Sequence, residues 1–185
     1  MVVDLPQSKS LALLPELRDP LTIDAAVAKI FGAIQRKEAS LVGYPVVHTY
    51  DGLRASTEAC REERYPTEFE PPQLPQIFGG PPDWIDVICP TAFETRNVGV
   101  SLEVEPHIFE NGNWIRLNLV PRRVMLLGYD NSVAGMRMPR FAKSETNTSV
   151  MIRNGQRFLV SFHKVPEAEE NIELVIVQAW ATPVK

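Results

Sequence analysis

Val98-Gly99-Val100-Ser101-Leu102-Glu103-Val104-Glu105-Pro106 decides the fold class, because its side chains alternate without a break. Val98, Val100, Leu102 and Val104 fall on one side of an extended chain, and Gly99, Ser101, Glu103 and Glu105 on the other. That period of two is the pattern of a strand with one buried and one wet face. Pro106 is expected to end it. Asn111-Gly112-Asn113 is a turn signal, and beyond it Ile115, Leu117 and Leu119 alternate with Arg116 and Asn118 as far as Pro121. The two runs read as an antiparallel hairpin with one apolar and one polar face.

Downstream, residues 122–140 contain Gly128, Gly135 and Met136 to Pro139 without a sustained period, which predicts an irregular excursion. Alternation returns at Thr148, Val150 and Ile152. Asn154-Gly155 predicts a turn, with Phe158, Val160 and Phe162 as the partner strand. A last strand is expected over residues 172–181. Ile172, Leu174 and Ile176 alternate with Glu173, but residues 175–177 are apolar on both faces, so the centre of that strand should be buried on both sides.

Upstream, Ile23, Val27, Ile30 and Ile34 recur at helical spacing, which predicts a helix over residues 23–37 with Thr22 as its cap. Residues 40–49 are rich in β-formers, and Asp51-Gly52 signals a two-residue hairpin with a return strand over residues 54–60. Pro45 removes a ladder donor, so the first of these strands should be an edge strand or carry a bulge. Residues 65–90 include Pro66, Pro71, Pro72, Pro75, Pro81, Pro82 and Pro90 with Gly79-Gly80, which predicts a long extended insertion, either a partner-contacting loop or a surface excursion. Residues 1–20, with Pro6 and Pro15, read as an irregular lead-in. The expectation is a mainly β (α+β) chain of antiparallel strands and hairpins with one N-terminal helix and about seven strands, sheet-like or sandwich-like, forming a single domain over residues 21–185.

Composition narrows the function classes. The 185 residues carry a net charge of −4, and 44% are hydrophobic and 23% charged, which suits a globular chain and gives no reason to expect a nucleic-acid partner. No stretch approaches the ~20 apolar residues of a spanning helix. The first residues lack the basic and apolar regions of a signal peptide, which fits either a cytoplasmic chain or one that begins after processing. Cys60 and Cys89 read as two semi-buried thiols or as one disulfide. His48, His107 and His163 lack metal-ligand spacing, and no cofactor is expected. Gly-x-Ser-x-Gly, P-loop and dinucleotide motifs are absent, and Glu58, Glu62, Glu63, Glu167, Glu169 and Glu170 read as solvated surface charge. The expectation is no catalysis.

Taken in order, three pieces resemble the core of the bacterial secretin family: residues 98–106, the run Ile115-Arg116-Leu117-Asn118-Leu119-Val120-Pro121, and residues 146–156 with Thr148, Gly155 and Gln156. The helix, the stretch through Pro45, the Asp51-Gly52-Leu53-Arg54-Ala55 turn and the closing strand ending in Thr182-Pro183 are similar to family elements as well. The resemblance covers roughly residues 21–185. The family-motif positions are Pro45, Asp51, Gly52, Val98, Gly99, Val100, Pro106, Pro121, Thr148, Gly155 and Gln156.

The resemblance implies a homo-oligomeric outer-membrane channel subunit of type II or III secretion or of a type IV pilus. Such a subunit sits in the cell envelope, in the outer membrane or periplasm, and partners itself and other envelope proteins. A soluble, diverged β-domain acting as an envelope accessory module is the alternative. Leu159 to Lys164 depart from the small apolar residues usual after the Gly-Gln hairpin, and Arg122-Arg123 place charge at the start of the gate region, where a water-filled lumen tolerates it.

Overall fold

The computed structural model describes residues 1–70, 89–131, 137–166 and 168–182. In chain order these form β1 (Val2–Pro6), α1 (Gln7–Arg18), α2 (Ile23–Gln35), β2 (Ser40–Gly43), β3 (Ala55–Glu70), β4 (Cys89–Phe109), a 3₁₀ turn (Glu110–Gly112), β5 (Trp114–Asn131), β6 (Arg137–Glu145), β7 (Thr148–Arg153), β8 (Arg157–Val165) and β9 (Ala168–Gln178). The chain is mainly β and its strand pairs are antiparallel, as expected. The described residues form two α-helices rather than one.

Two sheets are stacked. The first has the order β2-β1-β9-β8; the second has the order β3-β4-β5-β6, with β7 also paired to β5. The helices cover one face of the first sheet, where Leu17, Ile23, Val27 and Ile30 pack on Val3, Leu5, Ile172, Leu174 and Ile176. Its opposite face meets the second sheet through Val2 and Val175 against Val100. Ile115, Leu117, Leu119, Val104 and Ile152 fill the rest of that interface. Each such side chain removed from water contributes about 1.5–3 kcal/mol, so the alternation read in β4, β5 and β7 is what holds the sheets together. β9 lies between two layers, and Ile172 through Ile176 are buried on both of its faces.

Several expectations are corrected. The first residues are not an irregular lead-in: β1 is an inner strand, and α1 follows it directly. Burial on both faces hides the alternation of Val2, Val3 and Leu5. Pro15 lies inside α1, where it deprives the Leu11 carbonyl of a donor; Leu11 is itself exposed to water. The helix is anchored instead by Leu17 and by the buried Ser10, whose hydroxyl bonds the Leu5 and Pro6 carbonyls. Thr22 does not cap α2 with its side chain; its hydroxyl donates to the Glu16 carbonyl, and the Thr22 and Ile23 amides bond the Asp19 carbonyl.

The two hairpins expected around Asp51-Gly52 and Asn154-Gly155 are turns, but their flanking strands separate into different sheets. β2 stops at Gly43, before Pro45, and stays on the edge of the first sheet. Strands also run through the prolines expected to break them. Pro66 is tolerated because β3 is an edge strand. Pro106 accepts a bond from the Gly52 amide, so its nitrogen faces the side of β4 beyond the start of β3. The Pro121 carbonyl accepts from the Thr146 amide, which places its nitrogen where β7 gives way to β6. No ladder bond is lost at either proline. Residues 122–131 and 137–140 are therefore strand, not an irregular excursion, and the expected insertion is strand at both ends, with residues 71–88 outside the described part.

Candidate functional site

Motif positions gather at backbone junctions. Gly52 (φ 71°) donates to the Pro106 carbonyl at 2.8 Å, and the Asp51 carboxylate accepts from the Ile108 amide at 2.8 Å, so Asp51, Gly52 and Pro106 fasten the segment before β3 onto the end of β4. Gly99 (φ 150°) pairs with Cys60, and a Cβ there would lie 2.2 Å from the Ala59 carbonyl oxygen. Only glycine lets β3 approach so closely. Val98 and Val100 flank it on the face toward the first sheet, and a cleft of about 540 Å³ lies between these residues, Pro45 and residues 123–126. Thr148 opens β7 opposite Leu119. Gly155 (φ 82°) donates to the Ala179 carbonyl, and the Gln156 side chain accepts from the Arg153 amide at 3.0 Å. These positions shape the backbone and do not converge on a reactive cleft.

A polar cluster that the sequence did not reveal joins the two sheets. Arg123 on β5 reaches Asp4 on β1 with two bonds of 2.7 and 3.0 Å, and Glu173 on β9 at 2.6 Å. The side chains of Arg123, Asp4 and Glu173 are only 14%, 13% and 2% exposed. Ser144 on β6 donates to Glu173 at 2.6 Å, and its oxygen lies 2.6 Å from His163 Nε2 on β8, which is in turn 2.9 Å from the same Glu173 oxygen. Burial pushes the Glu173 pKa up, but hydrogen bonds from His163, Ser144 and Arg123 and the Arg123 charge outweigh it and bring it down to about 2. Burial also opposes the Arg123 charge, and its bonds to Asp4 and Glu173 outweigh that, raising its pKa.

Ser144, His163 and Glu173 are not arranged as a proton relay. Serine and glutamate meet the same imidazole nitrogen, and with the serine proton given to Glu173 that nitrogen must carry its own proton, leaving no base for the hydroxyl. The cluster is an inter-sheet ionic lock. Arg123 is thus not a lumen charge as expected; Arg122, on the opposite face, pairs with Glu145 at 2.6 Å.

Beyond the lock the second sheet projects as an arm. β3, β4 and β5 have 16, 21 and 18 residues, against the ~3–10 usual in globular proteins. Most side chains of residues 61–70 and 90–97 are exposed on both faces. The outer edges of β3 and β6 have no strand partner among the described residues. Cys60 is an exposed free thiol rather than a semi-buried one, with its pKa raised by burial of the sulfur and by Glu58. Cys89 pairs with Glu70, far along β3 from the Cys60–Gly99 pair; at ~3.3 Å per residue the two cysteines are too distant for a disulfide.

The described residues thus form a long-stranded antiparallel sheet tied by a buried ionic network to a layer of strands and helices. The sequence comparison names the family. The Secretin model, described as bacterial type II and III secretion system protein, matches residues 33–161, and the chain belongs to the secretin family. No curated protein and no solved structure matches it. The family is one of secretion-related, envelope-associated transport proteins rather than enzymes. No described helix is long and apolar enough to cross a membrane, which leaves crossing by strands open.

Proposed function

We propose that this chain is a ring-forming subunit of a secretion or type IV pilus channel in the bacterial envelope, at the outer membrane or in the periplasm, and that it acts as a passive conduit. Its partners are further copies of itself and other envelope proteins of the same system. The observation that carries this reading is the four-stranded arm whose two outer edges have no strand partner among the described residues. Unpaired backbone along an edge is a template for another strand, and copies adding β6 to β3 in turn close into a ring without leaving an edge. The motif glycines and prolines fit this role, since they set where strands meet. Mass photometry and negative-stain electron microscopy of the full chain test it. Ring-shaped multimers support the reading, and monomers alone at high concentration overturn it.

A second reading, a soluble accessory module of the envelope, is favoured by the curl of the arm, which brings β3 and β6 within 8 Å of each other at Cα. Detergent-resistant rings or insertion into liposomes exclude it.

A further inference from the structure

We propose that the seam between β3 and β6 is a self-clamp, which holds the free chain closed and must part before another copy adds to either edge; this rests on the ring reading above. β3 and β6 are the two ends of the order β3-β4-β5-β6. In a flat sheet, three spacings of about 4.8 Å would hold them about 14 Å apart, yet their Cα atoms approach within 8 Å. The sheet is rolled, and still no hydrogen-bonded ladder joins β3 to β6 among the described residues.

Irregularities in both outer strand pairs account for the roll. The β5–β6 register shifts between Leu126 and Gly128, with Gly128 at φ 140°, and the β3–β4 register shifts at Pro66, Glu68 and Phe69. Bulges of this kind bend strands and increase local twist.

Among the described residues, side chains cross the gap. The Tyr65 and Phe141 rings lie 5.6 Å apart at 51°. The Arg96 guanidinium sits 5.0 Å from the centre of the same Phe141 ring. Tyr129 on β5 donates its hydroxyl to Glu63 on β3, reaching past β4. Phe141 therefore holds contacts to two strands at once, and its loss frees the seam without touching the lock at Arg123. The roll turns two edges that could template strand addition toward each other, which is a way to keep a long unpaired edge from premature association. Ring growth then requires these few side-chain contacts to part while β4 and β5 stay paired.

The test uses the full chain with Cys60→Ser and Cys89→Ser, adding Tyr65→Cys and Phe141→Cys, joined across the seam by a short bismaleimide or capped separately with N-ethylmaleimide. Folding of each form is checked by circular dichroism. The tethered chain is expected to stay monomeric while the capped chain forms rings. Phe141→Ala alone should form rings at about tenfold lower concentration than the parent, the shift that one exposed aromatic pair and one cation–π contact can supply. Equal ring formation by tethered and capped chains overturns the clamp and leaves the ring reading standing. Monomers throughout, parent included, overturn the ring reading and the clamp with it.

Discussion

Replacing Arg123 with methionine leaves Asp4 and Glu173 facing each other without their shared cation, between two sheets. Glu173 is 2% exposed and Asp4 13%, so water cannot replace the lost bonds without separating the sheets. Breaking a buried pair by removing one partner costs about 3–5 kcal/mol, a large part of the ~5–15 kcal/mol that holds a domain folded. The Glu173 carboxyl points the same way: its pKa is held at about 2 by His163, Ser144 and Arg123 together, against the opposing effect of burial.

A depressed carboxylate pKa stabilises the fold above pH 4.5, and this stability is lost as the pH falls toward 2. In Arg123→Met this contribution shrinks, because burial still opposes the Glu173 charge while only the His163 and Ser144 hydrogen bonds remain to favour it. The assay is urea unfolding followed by far-ultraviolet circular dichroism at pH 7 and pH 5, at concentrations where the chain is monomeric. Because the lock joins both sheets, the parent should unfold in one transition. The variant should lose about 3–5 kcal/mol relative to the parent at pH 7, with the deficit narrowing toward acid pH, while the charge-free Asp4→Val, Arg123→Met, Glu173→Leu chain should regain most of it. A loss under about 1 kcal/mol with the parent's pH dependence would mean that no buried charge is stranded and that Arg123 does not lock the sheets.

Other outcomes follow from single positions. Gly99→Ala should cost more than about 3 kcal/mol or detach β3, because the added Cβ meets the Ala59 carbonyl at 2.2 Å; amide exchange along β3 reads this. Leu117→Ala, in the inter-sheet core, should lower stability by about 2–5 kcal/mol in the same urea assay. Cys60, its thiol pKa raised by burial and by Glu58, should react with iodoacetamide at pH 7.5 more slowly than a free cysteine does, and Glu58→Gln should speed it.

The strands whose faces differ were legible in the sequence. Val98 to Val104 and Ile115 to Leu119 lie where alternation places them, because one of their faces is packed and the other is wet. β1 was not legible, since burial on both faces erases its period. Glu173 was read as the polar side of an alternating strand, and its burial shows that it belongs to a face packed on the other sheet. A carboxylate in a strand apolar on both sides must find a cation, and that was the available signal for Arg123. Prolines misled for a related reason: they forbid a strand only where their nitrogen faces a partner, and that depends on pairing the sequence does not carry. The partnering of strands across turns, β7 with β5 and β8 with β9, was likewise set by long-range packing and not by the turn residues.

Joining of one copy to the next along the outer edges of β3 and β6 should be visible in amide hydrogen exchange of the full chain before and after assembly. Outward amides of β3 and β6 should gain strong protection in the multimer while those of the inner strands β4 and β5 change little. Multimers in which β3 and β6 exchange as fast as in the monomer would contradict it.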